Sequence, residues 1–218
     1  MIYLLTDQIW FFFGRTAGQQ PHSTPRHHAA GLDAWGSVVA ADRRCCSSSA
    51  LREALGDAAA DRQNARMTIA ERLAELGLTL PASPAPMANY LPAVRTGDLV
   101  FVSGHGPRRE DGSFVAGKLG RDLSVEQGYE AAKLTMLNCL ASLSAELGGL
   151  DNVRRVVKVL GMVNCTEDFG QQPQVINGGS DLLVELFGER GRHARSAVGM
   201  QMLPNNIAVE IELIAEVG

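Results

Sequence analysis

Residues 67–218 predict an α+β fold, a single mixed β-sheet with two helices packed on one face. Three observations carry this. The segments follow the order β-β-α-β-α-β-β, strands mixed with segregated helices. Ser124-Val-Glu-Gln127 has the capping-box pattern and opens a long segment with one apolar stripe. Near the end, Ile207, Val209, Ile211, Leu213 and Ala215 alternate with Ala208, Glu210, Glu212, Ile214 and Glu216, the period of a strand with one buried face.

In chain order, residues 1–66 lack the regularity of the rest. The opening Met1-Ile-Tyr-Leu-Leu-Thr-Asp-Gln-Ile-Trp-Phe-Phe-Phe13 is apolar but contains Asp7. It is well short of the ~20 residues that cross a bilayer, and it lacks the basic start and cleavage site of a secretory signal. Residues 14–49 are rich in Gly, Pro, His, Ser and Arg and show no period; residues 51–66 are Ala-rich. A mobile extension, a targeting segment and sequence upstream of the natural start all fit 1–66. The abrupt onset of pattern at Met67 favours the last, and Asp33, Asp42, Glu53, Asp57 and Asp61 disfavour a transit peptide.

Ile69, Leu73 and Leu76 recur at helical spacing before Gly77, and Pro81-Ala-Ser-Pro-Ala-Pro86 reads as an extended linker. Thr96-Gly97-Asp98 joins two short strands, the second being the apolar run Leu99-Val-Phe-Val102. Tyr129, Ala132, Met136, Cys139, Leu140, Leu143 and Leu147 form the stripe of the first main helix, which Gly148-Gly149 ends. Residues 153–163, rich in valine, predict a central strand. Pro173 opens the second helix, whose inner face is Val175, Ile176, Leu182, Leu183 and Leu186. Two strands joined by a tight turn at Leu203-Pro-Asn-Asn206 close the chain. Helices on one face leave the other sheet face open. Its aliphatic character predicts a covering partner, hence a homo-oligomer.

The chain has 218 residues and formal net charge −4, with both signs mixed along it. No basic cluster marks a nucleic-acid footprint. The 4 cysteines include no C-x-x-C spacing, so no zinc or redox motif is indicated. Cys139 and Cys165 read as small buried hydrophobes, in a reducing, cytoplasmic setting.

Five short motifs occur in order: Val100-Phe-Val-Ser-Gly104, Val156-Val-Lys158, Val175-Ile-Asn177, Ala194-Arg-Ser196, and Leu203-Pro204 followed by Val209-Glu-Ile-Glu-Leu-Ile-Ala215. Together they resemble the RidA family (YjgF/YER057c/UK114, formerly "endoribonuclease L-PSP"), from Tyr90 to Val217. The short helix and Pro-rich linker resemble its chorismate mutase-like branch, a likeness of fold and not of chorismate mutase activity. The resemblance implies a homotrimer with ligand clefts between subunits and no metal or organic cofactor. It implies hydrolysis of enamine and imine intermediates, such as 2-aminoacrylate, to 2-keto acids and ammonia.

By resemblance, Arg195 holds the substrate carboxylate, a task that suits a planar, permanently charged fork. Glu210 positions or deprotonates the attacking water. Tyr90, Ser103, Gly104, Asn177 and Ala197 fall where the family lines its pocket. The last two strands read as a hairpin; with a loop of even length, Arg195 and Glu210 share one face, on the order of 13 Å apart. The sequence departs from many relatives at Ala197, where they carry Cys, and at His105, where they carry Gln. His105 and His193 read as loop residues. Two other functions compete with the deaminase: a non-catalytic trimer that binds a small carboxylate, and an endoribonuclease or translation inhibitor, against which the acidic balance argues.

Overall fold

The computed structural model describes residues 67–83 and 89–218. The expectations for residues 1–66, and for the linker at 84–88, lie outside the described residues. The helices are α1 (Ile69–Glu75), α2 (Val125–Leu147) and α3 (Gln172–Phe187); the strands are β1 (Ala93–Thr96), β2 (Leu99–His105), β3 (Val153–Asn164), β4 (Ala194–Met200) and β5 (Val209–Val217). The sheet is single and mixed, in the order β1-β2-β5-β3-β4.

Local chemistry sets the helix ends. At α2, Ser124 Oγ accepts from the Gln127 amide at 3.2 Å, and Gln127 Oε1 accepts from the Ser124 amide at 2.9 Å. Gly148 closes the helix at φ 70°, a conformation that glycine adopts without steric cost. Thr68 and Glu71 form the same reciprocal cap on α1. This third helix belongs to the core. Ile69 and Leu73 are buried in it, and Asp151 accepts from the Ile69 amide at 2.8 Å.

Both long helices cover one sheet face. Val153, Val156, Val159, Val163, Ile211, Leu213 and Ala215 are fully or almost fully buried beneath them. Each of the Val, Ile and Leu side chains among them contributes on the order of 1.5–3 kcal/mol of burial. α2 and α3 approach closely at Gly178, where an added Cβ would lie 2.0 Å from the Tyr129 carbonyl oxygen. Beneath α3, Gly161 of β3 leaves room for the Ile176 side chain, 2.5 Å from where its Cβ would be. On the opposite sheet face Val94, Leu99, Phe101 and Val198 are 37–48% exposed.

Two expectations are corrected. The last two strands are not a hairpin. β4 pairs parallel with β3, while β5 pairs antiparallel with both β3 and β2. The reason lies in Asn164, at the end of β3. Its fully buried amide donates to Ile207 O at 3.1 Å and to Asn206 Oδ1 at 2.9 Å. The connection, with Asn205 and Asn206 at φ 54° and 56°, is thereby pinned across the end of β3. The two asparagines tolerate left-handed geometry as expected, but in the service of a crossing. β3 is an interior strand, as its valine-rich sequence predicts, paired with β5 on one side and β4 on the other.

The second correction concerns Arg195 and Glu210. Arg195 sits beside Val159 and Glu210 beside Met162, positions three apart on β3 and therefore on opposite faces. Two strand spacings of ~4.8 Å and three residues of ~3.3 Å separate their Cα atoms by about 14 Å.

Candidate functional site

The expected site residues fall into two groups. On the helix side, the strand period turns Arg195 and Ala197 of edge strand β4 toward α3. Asn177 and Ser180, three apart on α3, share the face that meets them. Arg195 Nη1 donates to Asn177 Oδ1 at 2.9 Å and to Ser180 Oγ at 3.0 Å. Both Nη1 hydrogens are thus used. Among the described residues no hydrogen-bond partner meets Nε or Nη2, and no carboxylate pairs with Arg195. That leaves one N–H fork on a half-buried guanidinium, the geometry that takes a carboxylate two-pronged.

His193 stands next to this group. Its Nδ1 is 2.6 Å from Gly191 O and its Nε2 3.1 Å from Ser180 Oγ. Burial holds its pKa below the ordinary value, and the Arg195 charge adds to this. Ala197 packs against the core on the same face as Arg195.

The second group lies on β2 and β5. A bulge interrupts their register between Val102 and His105, the one place where β2 carries an extra residue against β5. Ser103 and Gly104 form that bulge. Ser103 Oγ donates to Leu91 O at 2.7 Å, tying the segment that carries the exposed Tyr90 to the strand. The Glu210 carboxylate lies against Gly104; a Cβ there would be 2.1 Å from Oε1. Glu210 is half-buried, and its pKa is raised, mainly by burial and further by Glu212 on the same face. His105 is not a loop residue. It ends β2, buried, with Nδ1 2.6 Å from Ser103 O and Nε2 2.7 Å from Ser142 Oγ. It fixes the bulge from behind, and burial lowers its pKa.

Within one chain the structure therefore joins Asn177, Arg195 and Ala197, and separately Tyr90, Ser103, Gly104 and Glu210. It does not bring the groups together. Sequence reasoning missed Ser180 and His193. Spacing gave a partial signal, since Ser180 follows Asn177 by one helical step and His193 stands two residues before Arg195, but it does not show that α3 lies over β4.

Two concavities lie near these groups. A groove of about 280 Å³ on the open face is lined by Val94, Phe101, Lys158, Leu160, Glu212 and Ile214, among others. A larger open cleft, about 1310 Å³, lies past the end of β4 between Lys118, Phe169, Gln172 and Met202. None of the expected site residues lines it. Among the described residues no three His, Cys, Asp or Glu side chains converge as metal ligands, and no helix is long and apolar enough to cross a membrane.

The family model described as "YjgF/chorismate mutase-like, putative endoribonuclease" matches residues 70–217. Protein TCP17 of Trypanosoma cruzi is 43% identical over 149 residues, 68% of this chain and 93% of that protein. The crystal structure of Atu1372 from Agrobacterium tumefaciens, of unknown function, superposes with a TM-score of 0.64 at 45% identity, covering 69% of this chain and 94% of that one. A Shewanella oneidensis structure with the same endoribonuclease description has a TM-score of 0.67 at 34% identity, over 69% of this chain and all of that one.

Proposed function

The chain belongs to the YjgF/chorismate mutase-like branch of the RidA family, and we propose that it hydrolyses 2-aminoacrylate-type enamines and imines to 2-keto acids and ammonia. The observation that carries this reading is the Arg195 guanidinium. Asn177 and Ser180 hold one nitrogen and leave one edge without an acidic partner among the described residues. An arginine fixed in this way is built to receive a planar carboxylate.

The chemistry needs two further tasks. Water must add to C2 of the imine, and the resulting carbinolamine must expel ammonia. Glu210 suits both. Its raised pKa makes it a better base than an exposed carboxylate, so it takes the proton of the attacking water and returns it to the departing nitrogen. The Gly104 amide, the Ser103 hydroxyl and Tyr90 frame the space beside it. Arg195 and Glu210 point away from opposite sheet faces in one chain. The complete site is therefore formed between two copies, Arg195 from one and Glu210 from its neighbour, in a homotrimer that covers the exposed Val94, Leu99 and Phe101. Ala197 leaves space beside the arginine that a larger side chain would fill.

The endoribonuclease description of relatives supplies a second reading. RNA binding draws chiefly on basic side chains, whereas this chain carries net −4 and its open face presents Glu210 and Glu212. A carboxylate-binding protein without catalysis would share Arg195 but would not need Glu210.

The test is a coupled assay in which a dehydratase generates 2-aminoacrylate. Purified protein is expected to speed release of the keto acid, and Arg195→Ala to lower kcat/KM by about a hundredfold or more, the loss of a two-pronged ionic contact. No acceleration at micromolar protein would overturn the deaminase reading. Salt-sensitive RNA cleavage lost in Arg195→Ala would favour the alternative.

A further inference from the structure

We infer that Ser180 and His193 are positioning residues that set the rotation of the Arg195 guanidinium, so that its Nε/Nη2 edge faces the incoming carboxylate. The inference rests on the reading of Arg195 as the carboxylate clamp, and names what orients it.

The hydrogen-bond directions follow from chemistry. The Gly191 carbonyl can only accept, so His193 Nδ1 carries the proton in the 2.6 Å contact. In the neutral ring, Nε2 is then an acceptor. Neutrality is supported by burial and by the adjacent guanidinium, which both lower the pKa of His193. Across the 3.1 Å contact, Ser180 Oγ–H therefore donates to Nε2. That commits the one hydroxyl proton and turns the oxygen lone pairs toward Arg195 Nη1, 3.0 Å away. The chain of donation runs Arg195 Nη1 to Ser180 to His193 to the Gly191 carbonyl.

Without His193 the Ser180 proton has no fixed acceptor. In a helix it turns back to the carbonyl four residues earlier. Without Ser180, Arg195 Nη1 keeps only Asn177. A single hydrogen bond lets the guanidinium rotate about that contact; two bonds from Nη1 define its plane. Orientation matters because a misplaced fork offers one contact to the carboxylate instead of two. Neither Ser180 nor His193 needs to touch the ligand for this.

The experiment is titration of the full chain with sodium pyruvate and 2-oxobutanoate, followed by calorimetry or ligand-observed NMR. Ser180→Ala is expected to bind roughly tenfold more weakly, the scale of a hydrogen bond to a charged group. Ser180→Thr, which keeps the hydroxyl, restores binding, and His193→Phe lies between. In turnover, Ser180→Ala raises KM with kcat little changed, a split that general loss of structure would not give.

Wild-type affinity in Ser180→Ala, with binding lost in Arg195→Ala, overturns the positioning role and leaves the clamp intact. If Ser180→Ala does not fold, His193→Phe decides, and wild-type affinity there overturns the role. Pyruvate binding unaffected by Arg195→Ala, or absent from the wild-type protein, overturns the clamp and the inference together.

Discussion

The two faces of the sheet are made from alternate residues of the same strands, yet they are finished differently. On the helix side Val159, Val163, Ile211 and Leu213 lie under α2 and α3 at 1% exposure or less. The one charged side chain reaching into that side from β4, Arg195, is held by two hydrogen bonds. On the other face Phe101, Leu99 and Val94 remain exposed and Glu210 is held by no ion pair among the described residues. The helix side is covered within one chain, and the open face is left exposed by it. On the proposed reading, pre-organisation is found at the carboxylate clamp, and the acid–base group stands on the face that a second copy would cover.

Two glycines, Gly178 and Gly104, probe this difference between the faces. Gly178→Ala should cost about 3 kcal/mol of unfolding free energy in urea titration, the upper range for overpacking. Its Cβ meets backbone, the Tyr129 carbonyl at 2.0 Å, and the helices must separate. Gly104→Ala is as crowded on paper, at 2.1 Å, but its neighbour is the tip of the Glu210 side chain. That tip can swing away, so stability should change by less than about 1 kcal/mol. The cost should appear in turnover instead, with kcat down roughly tenfold because the carboxylate no longer sits at the bulge. Equal destabilisation by the two substitutions would contradict the contrast between the faces.

Protonation of Glu210 should give a smaller effect. Glu210 must be ionised to act as a base. Burial and Glu212 raise its pKa above the ordinary 4.5, so kcat should fall as pH drops through a value higher than that of an exposed glutamate. Glu212→Gln removes one raising influence and should shift this acidic limb to lower pH. An unmoved limb would separate it from Glu210.

Much of the architecture was legible because it is local. The capping box at Ser124, the glycine stop at Gly148, the turn at Gly97 and the alternation of β5 each depend on residues a few positions apart. The pairing of β4 was not, since both of its candidate neighbours are apolar strands and only Asn164, far away in sequence, fixes the crossing. That one nonlocal choice also decides the face on which Arg195 and Glu210 stand. Arg195 and Asn177, each assigned to the pocket by the resemblance, lie in hydrogen-bond contact at 2.9 Å. The contribution of Ser180 and His193 depends on how α3 lies over β4, which no single segment records.

In the proposed assembly one functional site takes Arg195 from one copy and Glu210 from another. Mixing settles it most directly. Arg195→Ala and Glu210→Gln, each inactive alone, are co-expressed with different affinity tags, and the doubly tagged assemblies are assayed for 2-aminoacrylate hydrolysis. Shared sites predict recovery of about a third of wild-type activity, since every doubly tagged trimer, whatever its ratio, joins an intact Arg195 to an intact Glu210 at one of its three interfaces. Mixed assemblies as inactive as either parent would contradict it.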